Sequence, residues 1–313
     1  MSLEKPYSFY RAGYTESTLL FVHHLDTIGQ LHCIQGRRTQ WKNLSWACRW
    51  LYNCCGLYDE SVDIHIDNEA NLSSLVNTPV FNEWLNSYKN AIKSSTCSML
   101  LLHRSVDVPD HIESFMDQYR SSFIISTAHP ASGPEHNLYK SPYISTDTVE
   151  LFGNFYNNHN YWYVEIMDLC RREFNNNRVL IVSNMGESCE KHYLQDNKHG
   201  ISDLGYIDYP SCFGNMGPDN NHMETVERIS DQINDVVGNY DVVIFACGAS
   251  AVPIADKISN NVKKLCIGSG LHGLFGITPE KETPSPGVFK IPEDIRGDIT
   301  RYFGKTIMKN ESA

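Results

Sequence analysis

Residues 241–277, DVVIFACGASAVPIADKISNNVKKLCIGSGLHGLFGI, constrain the fold more than any other stretch of the chain. Val242–Ala246 is a continuous apolar run, the pattern of a parallel strand covered on both faces. Gly248, Ala249 and Ser250 then give the backbone room to turn and open a helix. Lys264–Ile267 reads as the next strand, and Gly268, Ser269 and Gly270 follow it. Two consecutive strands that each end in small residues make a crevice at the carboxyl edge of a sheet, where open α/β folds bind their ligands. Helix N-termini that point into such a crevice favour phosphate. The stretch therefore predicts a phosphate-bearing ligand, a nucleotide in the first place. The same residues would also serve close helix–strand packing without any ligand.

Length and charge narrow the class. The chain has 313 residues, enough for one large α/β domain or two smaller ones. Its net charge of −11 argues against a nucleic-acid partner, because phosphate backbones attract basic faces. No run approaches the roughly 18 apolar residues of a membrane helix. The first ten residues carry charge and no apolar signal core, so a cytoplasmic location is expected. None of the ten cysteines sits in a CxxC pair, which argues against a zinc site and for reduced thiols.

Along the chain, residues 6–12 read as a strand ending at Gly13, followed by a helix over Glu16–Leu25 with Thr15 as its N-cap. Helices are expected over Leu44–Cys55, Phe81–Ile92, within Val108–Tyr119, over Val164–Phe174 and over His222–Val237. Strands are expected at Ser98–His103, Ser122–Ser126 and Arg178–Ser183. The stretch 127–142, with His129, His136 and Lys140, reads as a long polar loop, and so does 195–221. Asn184, Met185 and Gly186 turn the chain from the Arg178–Ser183 strand into a helix near Glu187. The fold class expected is α/β, a Rossmann-like, mostly parallel sheet with helices on both faces and right-handed crossovers. Residues 1–277 would form that domain, with 26–160 either a separate acceptor domain or an acceptor-side region inserted into it, and 278–313 a C-terminal extension.

Three segments in order bring a family into view. PYSFYRAGYTES (6–17) resembles the RxGxxE strand–turn opening of GT-D-type glycosyltransferases. RVLIVSNMGESCEKHY (178–193), and YDVVIFACGASAVPIADKI (240–258) with KKLCIGSGLHGLFGI (263–277), resemble further segments of related proteins found with surface-polysaccharide genes. The resemblance implies transfer of a sugar from a nucleotide-sugar donor, UDP-linked in the first place, to the hydroxyl of a glycan acceptor. It also implies a DxE motif in the first turn that holds Mn²⁺ or Mg²⁺ on the diphosphate. Here the matching positions are Tyr14, Thr15 and Glu16, so the first acid is missing, and Glu16 stays a candidate metal ligand, base or ribose contact.

The leaving nucleoside diphosphate needs a metal, a cation or backbone N–H groups to meet its charge, and the acceptor hydroxyl needs a base. Arg11 could face the diphosphate, beside Gly13, or form an ion pair with Glu16 that only fixes the turn. Gly248, Ala249, Ser250, Gly268, Ser269 and Gly270 could supply N–H groups. Asn184, Gly186, Glu187 and Ser188 could reach sugar or acceptor, with Glu187 as a second base or simply a carboxylate favoured by the helix dipole. His272 could contact phosphate or the nucleotide base. A second DxE match, Asp67-Asn68-Glu69, reads as a solvated loop. Two other functions compete: a nucleotide-binding scaffold or regulator without catalysis, favoured by Tyr14, and a dinucleotide oxidoreductase, disfavoured because no GxGxxG follows the first strand. Association of the chain into an oligomer is compatible with all of these.

Overall fold

Val242–Ala246, strand β7 here, shows why the chain folds as a layered sheet. Val243 and Phe245 belong to the hydrophobic cluster on one face of the sheet, Val242 and Ile244 to the cluster on the other. A strand with no polar face must be covered twice, and helices cover it. The computed structural model describes residues 5–34, 73, 77, 79–103, 109–119, 122–127, 136–140, 162–209, 219, 222–268 and 270–275.

The strands are β1 (Ser8–Ala12), β2 (Cys97–His103), β3 (Ser122–Thr127), β4 (His136–Lys140), β5 (Arg178–Ser183), β6 (Asp203–Asp208), β7 (Val242–Ala246) and β8 (Lys263–Cys266). They form one eight-stranded sheet in the order β4-β3-β2-β1-β8-β7-β5-β6, parallel except for the antiparallel β3–β4 pair. The helices are α1 (Tyr14–Thr27), α2 (Pro79–Ser94), α3 (Pro109–Met116), α4 (Trp162–Phe174), α5 (Gly186–Gln195), α6 (His222–Val236), α7 (Ala251–Lys257) and α8 (Gly270–Phe275). Buried residues of α1, α2, α3, α6 and α7 share one cluster, and those of α4, α5 and α8 share the other. Connections running along the sheet toward β4 thus lie on one face and those running toward β6 on the other, as a single crossover hand requires. This is the expected doubly wound architecture. Strands β2, β3 and β4, from within 26–160, are hydrogen-bonded into the same sheet.

Several expectations need correction. The 127–142 stretch contains β4, and 195–221 contains β6, where two loops were expected. Both are edge strands, paired on one side only, so neither needs the apolar run that reveals a central strand. Helix α1 begins at Tyr14 with Gly13 at its N-cap and no side-chain cap, so Thr15 does not cap it. The Leu44–Cys55 helix and Asp67-Asn68-Glu69 lie outside the described residues, as does His129. Among the described residues Cys33, Cys97, Cys170, Cys189, Cys247 and Cys266 are free thiols, and no helix is long and apolar enough to cross a membrane.

The α1–α3 contact has a pH consequence. His24 is buried among Phe21 and Phe115, and its Nδ1 accepts from Gln118 Nε2 at 2.6 Å. Its Nε2 donates to Ser114 Oγ at 3.0 Å, so this arrangement suits the neutral ring. Burial, reinforced by His111, Lys89 and His23, pushes the imidazole down to about 4. The folded state therefore binds fewer protons than the unfolded state between the two pKa values, and His24 costs stability as pH falls from about 6.5 toward about 4. The melting temperature of wild type is expected to drop more steeply over that window than that of His24→Gln. Parallel curves for the two proteins would remove His24 as a cause.

Candidate functional site

Because β1, β8, β7 and β5 run parallel, their carboxyl ends share one edge of the sheet. After β1 the chain enters α1 on one face, and after β8 it enters α8 on the other. The two turns part and leave a crevice between neighbouring strands, the position where open α/β sheets bind ligands.

Arg11 and Glu16 stand at the β1 side of that crevice, near enough for the Arg11 charge to act on the Glu16 carboxyl. The Arg11 Nη1 donates to the carbonyl of Ile267, just past β8, at 3.0 Å. Gly268 follows with φ +59°, in the left-handed region that favours glycine. A Cβ there would also strike Arg11 Nη1. Gly268 therefore provides both the turn and the room for the guanidinium. Glu16 is buried in the first turn of α1, where its carboxyl accepts its own backbone N–H. A Cβ on Gly13 would sit 2.5 Å from Glu16 Oε2, so Gly13 makes the same kind of room for the acid. Burial raises the Glu16 carboxyl above its ordinary value, and its own backbone N–H and the Arg11 charge oppose that rise. Tyr88 on α2 is within electrostatic reach of Glu16, Cys266, Arg11 and Cys247, and burial lifts its phenol well above the usual range. No local signal in the sequence marks Tyr88.

The turn after β7 is built differently. Gly248 takes φ +57°, but Ala249 and Ser250 are buried. Trp84 Nε1 donates to the Ala249 carbonyl at 3.1 Å. Ser250 Oγ bonds to Tyr209 Oη and lies 3.2 Å from His222 Nδ1, and the Ser250 N–H is spent on Cys247 O. The Ser250 polar groups thus fasten α6, α7 and the end of β6 together. Helix α2 braces the turn after β7 through Trp84 against Ala249.

The turn after β5 stands apart. Two strands separate β5 from β1, so its residues lie about 14 Å from the Arg11–Glu16 pair across the sheet. Gly186 is a packing glycine: a Cβ there would lie 2.7 Å from the Tyr206 ring. Asn184 is exposed and Ser188 half-buried. Glu187 is exposed and paired with Lys191 at 2.7 Å, a contact that lowers its carboxyl. That is the ordinary state of an i,i+4 surface pair. Gly270 and His272 lie in the backbone of α8, and Ser269 falls outside the described residues.

An open groove of about 620 Å³ lies between α2 and α6, lined by Glu83, Glu224, Glu227, Asp231 and Asp235 with Arg228 among them. Five carboxylates repel a diphosphate, so the groove does not rival the crevice as an anion site. Nor does the crevice fit a divalent cation. Among the described residues no group of three His, Cys, Asp or Glu side chains could hold a metal. Glu16 has a guanidinium as its charged neighbour, where a metal ligand would have further oxygen donors.

Residues 145–272 match the family model of the GT-D fold-like domain, and this part of the chain is a GT-D-like domain. The matched stretch carries the turns after β5, β7 and β8. Arg11 and Glu16 are brought to it by β1, which pairs with β8 from outside the matched residues. No curated protein and no solved structure matches the chain.

Proposed function

We propose that the chain is a glycosyltransferase whose GT-D-like domain binds a nucleotide-sugar donor at the β1–β8 crevice and passes its sugar to an acceptor hydroxyl of a glycan. One observation carries this reading: the convergence of Arg11, Glu16 and Gly268 at the point where the two turns part. In it Arg11 faces the diphosphate. Gly248, Ala249, Gly268, Ser269 and Gly270 belong to the turns whose N–H groups would line the leaving group. Glu16 takes the acceptor proton, since burial moves its carboxyl toward the range where a base works near neutral pH. Asn184, Ser188 and Glu187 belong to the acceptor side, at a distance that only an extended acceptor would span. His272 belongs to the nucleotide side. A UDP-linked donor, a surface-glycan acceptor and a cytoplasmic setting complete the proposal.

A scaffold that binds the nucleotide without turning it over is the second reading, and Tyr14 at the first acid position favours it. A thermal-shift series with UDP-, GDP- and CDP-sugars, the free nucleotides and NAD separates these readings. A ligand that binds only the folded chain adds about 2.7 kcal/mol of apparent stability at a hundredfold excess over Kd. A rise in Tm with one nucleotide class, followed by release of the nucleoside diphosphate on adding glycan acceptors, is the expected result. A rise without turnover favours the scaffold, a rise with NAD alone the oxidoreductase, and no rise removes the donor site.

A further inference from the structure

A departing nucleoside diphosphate must have its charge met by a divalent cation, a fixed side-chain cation or oriented N–H groups. Mg²⁺ keeps near-ideal octahedral oxygen coordination, and Mn²⁺ likewise prefers hard oxygen ligands. The crevice brings together a different set. Glu16 contributes one carboxyl, Tyr14 stands where the first acid of the motif would be, and among the described residues no trio of metal-binding side chains exists. The positive charge is already present as Arg11, whose guanidinium stays protonated throughout the working pH range. It is also held in place. The Ile267 carbonyl accepts from Nη1 at 3.0 Å, and the glycine at 268 leaves the space the group occupies. A side chain ordered before the ligand arrives loses little entropy on binding. A divalent cation placed beside it would be repelled.

We infer that Arg11 takes the electrostatic part of the divalent cation, so that this site holds the diphosphate of its donor without Mg²⁺ or Mn²⁺. The inference rests on the donor-binding reading above, and it adds which group meets the diphosphate charge. Gly268 becomes a residue that positions Arg11, since a side chain there would displace the guanidinium.

The test is calorimetric titration of the full chain with UDP, GDP and CDP, in EDTA and again in Mn²⁺. One nucleoside diphosphate is expected to bind with Kd values within about threefold of each other in the two buffers. Arg11→Gln should weaken it by about tenfold or more in both, and Arg11→Lys, which keeps the charge, by less. Mn²⁺ alone, followed by electron paramagnetic resonance, should show no stoichiometric site. Binding that needs Mn²⁺, a Mn²⁺ site that Glu16→Gln removes, or Arg11→Gln binding as tightly as wild type would each overturn the inference while the donor reading stands. No binding of any nucleotide in either buffer would overturn both. The EDTA comparison is made on the wild-type chain, so it decides even if a variant fails to fold.

Discussion

Glu16→Gln is expected to lower sugar transfer by at least about a hundredfold while leaving the nucleoside diphosphate bound. The amide keeps the size of the side chain but cannot take a proton. Glu16 is 7% exposed, so bulk water has little access to take over its role. Removing a buried acid also relieves the desolvation that raises its pKa, so the variant should melt no lower than wild type. Rates measured with the donor found in the thermal-shift series, together with a circular dichroism melt, check both halves. Wild-type turnover in a folded variant would take Glu16 out of the chemistry and leave it as the N-terminal carboxyl of α1. Lost donor binding with normal folding would assign it to the ligand pocket instead.

Lys264→Met should cost about 2–4 kcal/mol of stability. Lys264 is 3% exposed in β8, and its Nζ donates to Ala255 O at 2.8 Å, Ile258 O at 2.9 Å and Asn260 Oδ1 at 2.7 Å. Ala255 and Ile258 lie at the carboxyl end of α7, where helix carbonyls lack intrahelical partners. Methionine fills the space of the stem and leaves those oxygens buried without a donor. The same contacts tie α7 to β8, four residues before Gly268, so the loss should also loosen the Arg11 cradle. Urea unfolding with an unchanged slope and a lower midpoint is the expected result. An unchanged midpoint would mean that water replaces the ammonium at the helix end.

The fold was legible where burial leaves a period in the sequence. The apolar runs of β5 and β7 had no other reading than covered strands, and α6 carries its buried His222, Val226, Ile229 and Ile233 along one stripe. Strands β4 and β6 were not legible, because an edge strand is recruited by its neighbour's open hydrogen bonds rather than by its own hydrophobicity. In β6, Tyr206 is placed by contact with Gly186 and Gly205 lies under the Tyr240 hydroxyl, pairings that no local pattern encodes.

The site was legible as a set of small-residue turns, and the structure divides that set. Gly268 gives room to the Arg11 guanidinium, Gly186 gives room to a tyrosine ring, and Ser250 spends its hydroxyl on Tyr209 and His222. Small residues permit close approach, and the sequence does not say what approaches. Glu16 and Glu187 illustrate the same limit for acids. Both stand in the first turn of a helix after a strand, yet one is buried beside Arg11 and the other is solvated beside Lys191.

By itself the sequence determined the α/β class, the central strands and the turns that end them, because apolar period and small-residue punctuation act over a few residues. Only the tertiary structure decided which turns face each other. It is strand order that sets β1 against β8 and brings Arg11 within reach of Ile267, 256 residues away along the chain. Burial then raises the Glu16 carboxyl above its ordinary value, and burial belongs to the packed layers rather than to any segment of the chain.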